Sequence, residues 1–309
     1  MHFNEYLRSC REEFNLTQEE LVSQLYSHDI DLFGGLDTGT LSKWERSIVQ
    51  PKIAKQVSLI KYFQKLSGIA LPCWSHLTIS EAEESICQAG MKNLIGKNKV
   101  YICNFPSNII QMDELKIFNL RHSKQIDTLL ELNMNIHKEF NHPSTRISIE
   151  QFKTWALHPS NSFYVCEYKG TSLGYFFSLR LKPEVFDKLL NFEMRKDEIT
   201  TNDFASYDEM GTSFMLSFFS MSNKSAVALF IRYYAHLIAN QSNIQEIGGI
   251  TKMDEAKKFG NRMNLVLHKS MTTEDGTVIE SYRQDIYNVL ASENVIKMLL
   301  TKQECPEEA

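Results

Sequence analysis

The run Leu16-Thr17-Gln18-Glu19-Glu20-Leu21, followed by Thr40-Leu41-Ser42-Lys43-Trp44-Glu45-Arg46 and then Pro51, decides the reading of the first sixty-odd residues. Thr17 and Glu20 form a capping box: the Thr17 hydroxyl can accept from the Glu20 N–H while the Glu20 carboxylate accepts from the Thr17 N–H. A helix therefore starts sharply at Gln18 and runs to about Leu25. Upstream, Phe3, Tyr6, Leu7, Cys10, Arg11 and Phe14 recur at three- and four-residue spacing, predicting a first helix with Asn15 as its C-cap. Downstream, an irregular stretch holding Gly34-Gly35 leads to Asp37, a good N-cap for a third helix over Thr38–Arg46. Leu41 and Trp44 share its apolar face, leaving Thr38, Ser42 and Lys43 opposite. Pro51 opens a last helix that buries Ile53, Val57, Ile60 and Phe63.

These motifs, in this order, resemble the Cro/C1-type (XRE-like) helix-turn-helix family over about residues 3–66. The resemblance implies a DNA-binding fold in which Gln18 meets phosphate and Thr38, Gly39, Thr40, Ser42 and Lys43 enter the major groove, with Arg46 and Lys52 beside them. Short polar side chains at the first turn can approach base edges, and Lys43 can reach a base or a phosphate. Trp44 and Glu45 read as scaffold. In two places the chain departs from the family: Tyr26–Leu36 is longer than its tight turn, and Ser47 stands where it usually has glycine.

The chain has 309 residues with formal net charge −5, 43% hydrophobic and 23% charged. This length fits two or three packed units, and the composition is that of a globular protein. A negative total is unusual for a DNA binder, because affinity comes largely from neutralising phosphate. The distribution matters more: Lys43, Arg46, Lys52, Lys55, Lys61 and Lys65 make the second half of the N-terminal segment basic. The six cysteines (Cys10, Cys73, Cys87, Cys103, Cys166, Cys305) show no Cys-x-x-Cys pair and histidines do not cluster. Neither a metal site nor a disulfide framework is expected. The opening Met1-His2-Phe3-Asn4-Glu5 lacks the order of a signal peptide, and the longest apolar stretch, Phe214–Met221, is interrupted by serines and too short to span a bilayer. A cytoplasmic protein without membrane contact is expected.

Residues 67–114 hold Leu71-Pro72, a helical Ser80–Leu94, a Gly96–Lys99 turn, a strand-like Val100–Asn104 and Phe105-Pro106. This stretch is too apolar for a flexible linker. It reads either as a connector carrying a dimer contact or as a helix and strand docked on the unit that follows.

From Leu115 the pattern becomes mixed, giving a multidomain chain: an all-α unit, then an α+β (α/β) unit with a mixed central sheet over 115–309. Strands are predicted at Lys116–Asn119, Phe163–Tyr168, Leu173–Leu181, Ser213–Met221 and Gln245–Thr251, with two more around Glu274-Asp275-Gly276. Helices are predicted at Ser123–Phe140, Ser148–Leu157, Ser225–Ala239, Asp254–Asn264 and Asn288–Lys302, with an acidic insertion at Glu184–Asp208. The order resembles the GNAT acetyltransferase fold over roughly 115–285. That resemblance implies acetyl-CoA or acyl-CoA held by backbone N–H groups of a loop, here Ser222, Asn223, Lys224, Ser225 and Ala226 after Met221. The loop contains no glycine, and Gly260 occupies the position where the family carries its acid tyrosine. Glu209 is the candidate base, and Tyr233 or Tyr234 the substitute acid. The splayed, aromatic Phe214–Met221 segment suits an apolar or acyl pocket.

Two functions follow. The first is a transcriptional regulator that binds a double-stranded DNA operator as a homodimer and whose acyltransferase-like domain, better suited to sensing than to catalysis, either senses a small-molecule effector such as an acyl-CoA or another acyl compound or mediates oligomerisation. The alternative is an N-acetyltransferase with an accessory DNA-binding domain.

Overall fold

The computed structural model describes residues 2–95, 110–123, 126–140 and 147–299. The predicted turn at Gly96–Lys99, the strand at Val100–Asn104, Phe105-Pro106, Cys103 and Cys305 lie outside them. Five helices open the chain: α1 (Phe3–Glu13), α2 (Gln18–His28), α3 (Ile30–Phe33), α4 (Thr38–Glu45) and α5 (Ile53–Ser67). Both halves of the α2 capping box form, Glu20 N–H donating to Thr17 Oγ1 at 3.1 Å and Thr17 N–H to Glu20 Oε2 at 2.7 Å. Asn15 ends α1 in the left-handed region at φ 53°, so that the Leu16 N–H can return to the Arg11 carbonyl. The long Tyr26–Leu36 connection is ordered by the one-turn helix α3. Asp29 caps it, accepting from Leu32 N–H at 3.1 Å, and Phe33 is fully buried. Ser47 takes φ 59°, the conformation a glycine adopts without strain.

Helix α6 (Ile79–Ile95) packs along α10 (Asn223–Ala239) and α13 (Glu293–Leu299), so this helix of the connecting region is docked on the C-terminal part. Gly90 permits this approach, since a Cβ there would lie 3.0 Å from Ile231 carbons. The two ends of the chain are also joined directly. Gln64 Nε2 donates to the carbonyls of Ala70 (2.5 Å) and Tyr287 (2.8 Å), the Tyr287 hydroxyl donates to Gly68 O at 2.6 Å, and Leu71 N–H donates to Gln241 Oε1 at 2.5 Å. One contiguous apolar core therefore runs from Phe3 through α5 and α6 into α10 and α13. Within it the Cys10 and Cys73 sulfurs face each other at 3.2 Å as free thiols.

The rest of the chain builds a seven-stranded mixed sheet in the order β1-β2-β3-β4-β5-β7-β6. Its strands are β1 (Leu115–Asn119), β2 (Ser162–Tyr168), β3 (Thr171–Leu181), β4 (Gly211–Ser220), β5 (Ile244–Thr251), β6 (Val266–Thr272) and β7 (Val278–Asp285). Only β4 and β5 run parallel, with α10 as the crossover between them. On the face opposite α10 a second core gathers Leu129, Leu130, Phe152 and Trp155 of α7 (Ile126–Phe140) and α8 (Ile149–Leu157) with Val185, Phe186 and Leu189 of α9 (Pro183–Leu190). The helix α11 (Asp254–Arg262) follows β5. The predicted continuous helix Asn288–Lys302 is instead broken: α12 (Ile286–Leu290) starts at its cap Asp285, and α13 begins after Ser292, whose hydroxyl accepts from Val295 N–H at 3.4 Å. A serine that caps a new turn competes with continuation of the old one. Residues 300–302 of the expected helix lie outside the described residues.

Candidate functional site

The α4 helix is held by its buried side. Leu41 and Trp44 are in the core, and the Glu45 carboxylate, 6% exposed, receives Arg11 Nε at 2.6 Å, Arg11 Nη2 at 3.2 Å and Gln18 Nε2 at 2.8 Å. The Arg11 guanidinium also donates to the Leu16 carbonyl at 2.9 Å, and its pKa rises through the Glu45 hydrogen bond. This three-way clamp ties α1, α2 and α4 together. Gln18, expected at a phosphate, thus has its amide committed to Glu45. The outward residues of α4 carry no such partner: Gly39, Lys43 and Arg46 are exposed and Thr38, Thr40 and Ser42 half-buried. Asp37 caps the helix, accepting from Thr40 N–H at 2.5 Å, and Arg46 Nε turns back to the Ser42 carbonyl at 3.3 Å. Lys52, also exposed, is the N-cap residue of α5, and Lys55 lies over the Trp44 ring.

The second candidate lies in the sheet. The β4–β5 ladder runs only from Gly211↔Ile244 to Met215↔Gly249, while β4 continues to Ser220 and β5 to Thr251. Beyond Met215 the strands part. An irregularity in the β3–β4 register at Phe177/Ser178 changes the pairing of β4 here. The wedge is filled on the α10 face by three stacked rings, Phe230 on Phe259 at 4.2 Å and on Phe218 at 4.7 Å. Phe214, Leu216 and Phe219 turn to the other core, so the strand has two apolar faces.

The loop that follows is closed on itself. The Ser225 hydroxyl lies 2.6 Å from that of Ser220 and 2.9 Å from that of Ser222, and Ser222 caps α10 through Ser225 N–H at 3.1 Å. Lys224 donates to the Ile110 carbonyl at 2.6 Å, and Ala226 is buried. Asn223 is the first residue of α10. Tyr233 is fully buried with its hydroxyl 2.7 Å from that of Ser213, and burial pushes it well above the usual phenol range; Tyr234 is shifted the same way. Glu209 stands in an exposed turn, its carboxylate accepting from Ser206 N–H at 2.7 Å. The structure does not bring Glu209 and the tyrosines together by any hydrogen bond.

Three polar groups were not singled out by sequence patterns. Lys196, in the acidic insertion, places its ammonium 5.9 Å from the Phe214 ring, and desolvation lowers its pKa to about 8. Arg180 of β3 and His236 of α10 sit together under the sheet with Tyr164 and Tyr207. The Tyr164 hydroxyl lies 3.2 Å from His236 Nδ1, and the Tyr207 ring stacks on the guanidinium at 4.7 Å. Burial, helped by the Arg180 charge, lowers the His236 pKa to about 4. An unfolded histidine titrates near 6.5, so only the unfolded state gains this proton as pH falls from 6.5 to 4. Stability from this residue is full above 6.5 and is lost through that window. Urea unfolding at pH 5 is expected to show about 2 kcal/mol less stability than at pH 7 on its account, and His236→Gln should flatten that slope.

Among the described residues no group of three His, Cys, Asp or Glu side chains is placed to hold a metal ion, and no helix is long and apolar enough to cross a membrane. No family model matches the chain, and no curated protein matches it. Solved structures do. They include FeeM, an N-acyl amino acid synthase from uncultured soil microbes (10% identity, 57% of this chain and 91% of that one, TM-score 0.40). An N-acetyltransferase from Staphylococcus aureus Mu50 (9%, 56% and 99%, 0.36) and the GNAT-like decarboxylase GphF in complex with isobutyryl-CoA (10%, 56% and 98%, 0.39) are others. The likeness is one of outline over part of the chain, a mixed sheet with helices.

Proposed function

We propose that the chain is a DNA-binding transcriptional regulator. In this reading residues 1–66 are a helix-turn-helix unit that meets a double-stranded operator, two copies engage two half-sites, and residues 115–309 bind a small effector. Residues 67–114 connect the two in a protein of the cytoplasm. The observation that supports it is the contrast between the faces of α4: Leu41, Trp44 and Glu45 are locked inward, while Gly39, Ser42 and Lys43 are presented outward at a capped helix start. A helix start favours phosphate, and short polar side chains there permit close approach to base edges. The Ser42→Ala/Lys43→Ala double variant is expected to lose binding to the chain's own upstream DNA at least about tenfold, since each good base contact is worth about 1–3 kcal/mol. Gel shifts of wild type and variant at low salt test this. Failure of the wild type to shift any such fragment overturns the reading.

A second reading, acyl transfer or acyl-CoA binding by the GNAT-like part, is favoured by the parting of β4 and β5, although Phe218, Phe230 and Phe259 fill the wedge between them and would have to move for a ligand. The commitment of the Ser220, Ser222 and Ser225 hydroxyls to one another works against a coenzyme phosphate there. Thiol release from acetyl-CoA in the presence of amines separates it from the first reading.

A further inference from the structure

A small cavity of about 10 Å³ lies beneath the base of β4, lined by Ser160, Ser162, Ser178, Arg180, Thr212, Ser213, His236 and Ile244. Its polar walls are inside the protein: Arg180 is 5% exposed, Ser178 3% and Ser160 6%. The Arg180 guanidinium is held by three carbonyls and by the face of the Tyr207 ring. Nε donates to Ser206 O at 3.1 Å, and Nη2 to Glu209 O and Asn243 O, each at 2.8 Å. Among the described residues no carboxylate forms an ion pair with it; the Glu209 charge acts on it from a distance, its carboxylate being engaged by Ser206. Arg180 Nη1 makes no hydrogen bond among the described residues, and neither do the Ser160 and Ser178 hydroxyls. The cavity therefore combines one full positive charge with spare donors and holds no anion of the protein's own.

A buried charge without a counter-charge is costly, and carbonyl dipoles compensate it only in part. The space is about that of one water, so a chloride needs small outward shifts of the serine side chains, while phosphate, sulfate and organic carboxylates are far too large. Water would satisfy the donors and leave the charge. A monatomic anion satisfies both, because attraction between contacting unit charges exceeds thermal energy at any dielectric below that of water. We propose that this cavity is a binding site for one chloride-sized inorganic anion, held by the Arg180 guanidinium and the Ser160 and Ser178 hydroxyls. The bound ion fixes the turn at 206–209, whose carbonyls share the same guanidinium, and so sets the start of β4. It is independent of whatever the N-terminal helices bind.

Thermal unfolding of the full chain in sodium chloride and in sodium gluconate, at equal ionic strength and pH 7, provides the first measurement. The melting temperature is expected to rise saturably with chloride and not with gluconate. Ser178→Ala and Ser160→Ala each remove one donor and are expected to weaken the chloride midpoint about tenfold, as for a hydrogen bond to a charged group. These variants spare Arg180, whose removal would also free three carbonyls and threaten folding. Crystals soaked in bromide should show anomalous density beside Arg180. Equal melting in chloride and gluconate, a chloride dependence untouched by both serine variants, or a bromide-free cavity would each overturn the proposal.

Discussion

Replacing Glu45 by alanine is expected to lower the free energy of unfolding by about 3 kcal/mol, with the denaturation midpoint as the readout. The carboxylate is 6% exposed and takes two hydrogen bonds from Arg11 and one from Gln18. Its loss leaves a guanidinium at the meeting point of three helices with the Leu16 carbonyl and, at 3.6 Å, the exposed Glu12 carboxylate. The value sits at the lower end of the range for broken buried pairs because the Arg11 side chain keeps 15% exposure and can recruit some water. If the carboxylate matters chiefly as the partner of Arg11, adding Arg11→Met to Glu45→Ala should recover part of the loss. A loss below about 1 kcal/mol in the single variant would show that the clamp is a surface pair in energetic terms.

Phe230→Ala is expected to destabilise by about 3–4 kcal/mol. Phe230 is the middle ring of the stack that fills the gap between β4 and β5 and is only 7% exposed. No ladder hydrogen bond joins β4 to β5 past Met215↔Gly249, so although β3 and β7 still pair with their outer edges, side-chain packing is what spans the gap between the two strand ends. Phe259→Ala should lose less, since that ring is half-buried at the end of the stack. Thermal unfolding of the two variants gives the order, and an equal or reversed loss would mean that the stack is not what spans the gap.

Much of the architecture could be read from local chemistry. Caps announce themselves in sequence: Thr17/Glu20, Asp37, Ser148 and Ser222 each bond the backbone N–H expected of such a residue. The Lys169-Gly170 turn is likewise written in its residues, both at positive φ between β2 and β3. The one-turn α3 was missed because four residues carry no period, and the break between α12 and α13 because an amphipathic face continues across it. The Arg180 cavity was invisible for a different reason. Its wall comes from β2, β3, β4, α10 and β5, whose residues are separated by up to eighty-odd positions, and no spacing rule joins Ser160 to His236 and Ile244. The candidate residues on α4 fall within one helix and can be named together, whereas Glu209 stands in an exposed turn and Tyr233 and Tyr234 lie buried on α10, with no hydrogen bond joining them to it.

The Gln64, Leu71 and Tyr287 contacts have a mechanical consequence. A tether of loose chain absorbs displacement, but side-chain bolts onto backbone carbonyls, backed by apolar packing of α5 against α13, pass it on. A small rotation of α12 or α10 must therefore either carry α5 with it or break the bolts. Helix α5 and the α10–α12 region therefore move with one set of rigid-body coordinates rather than two.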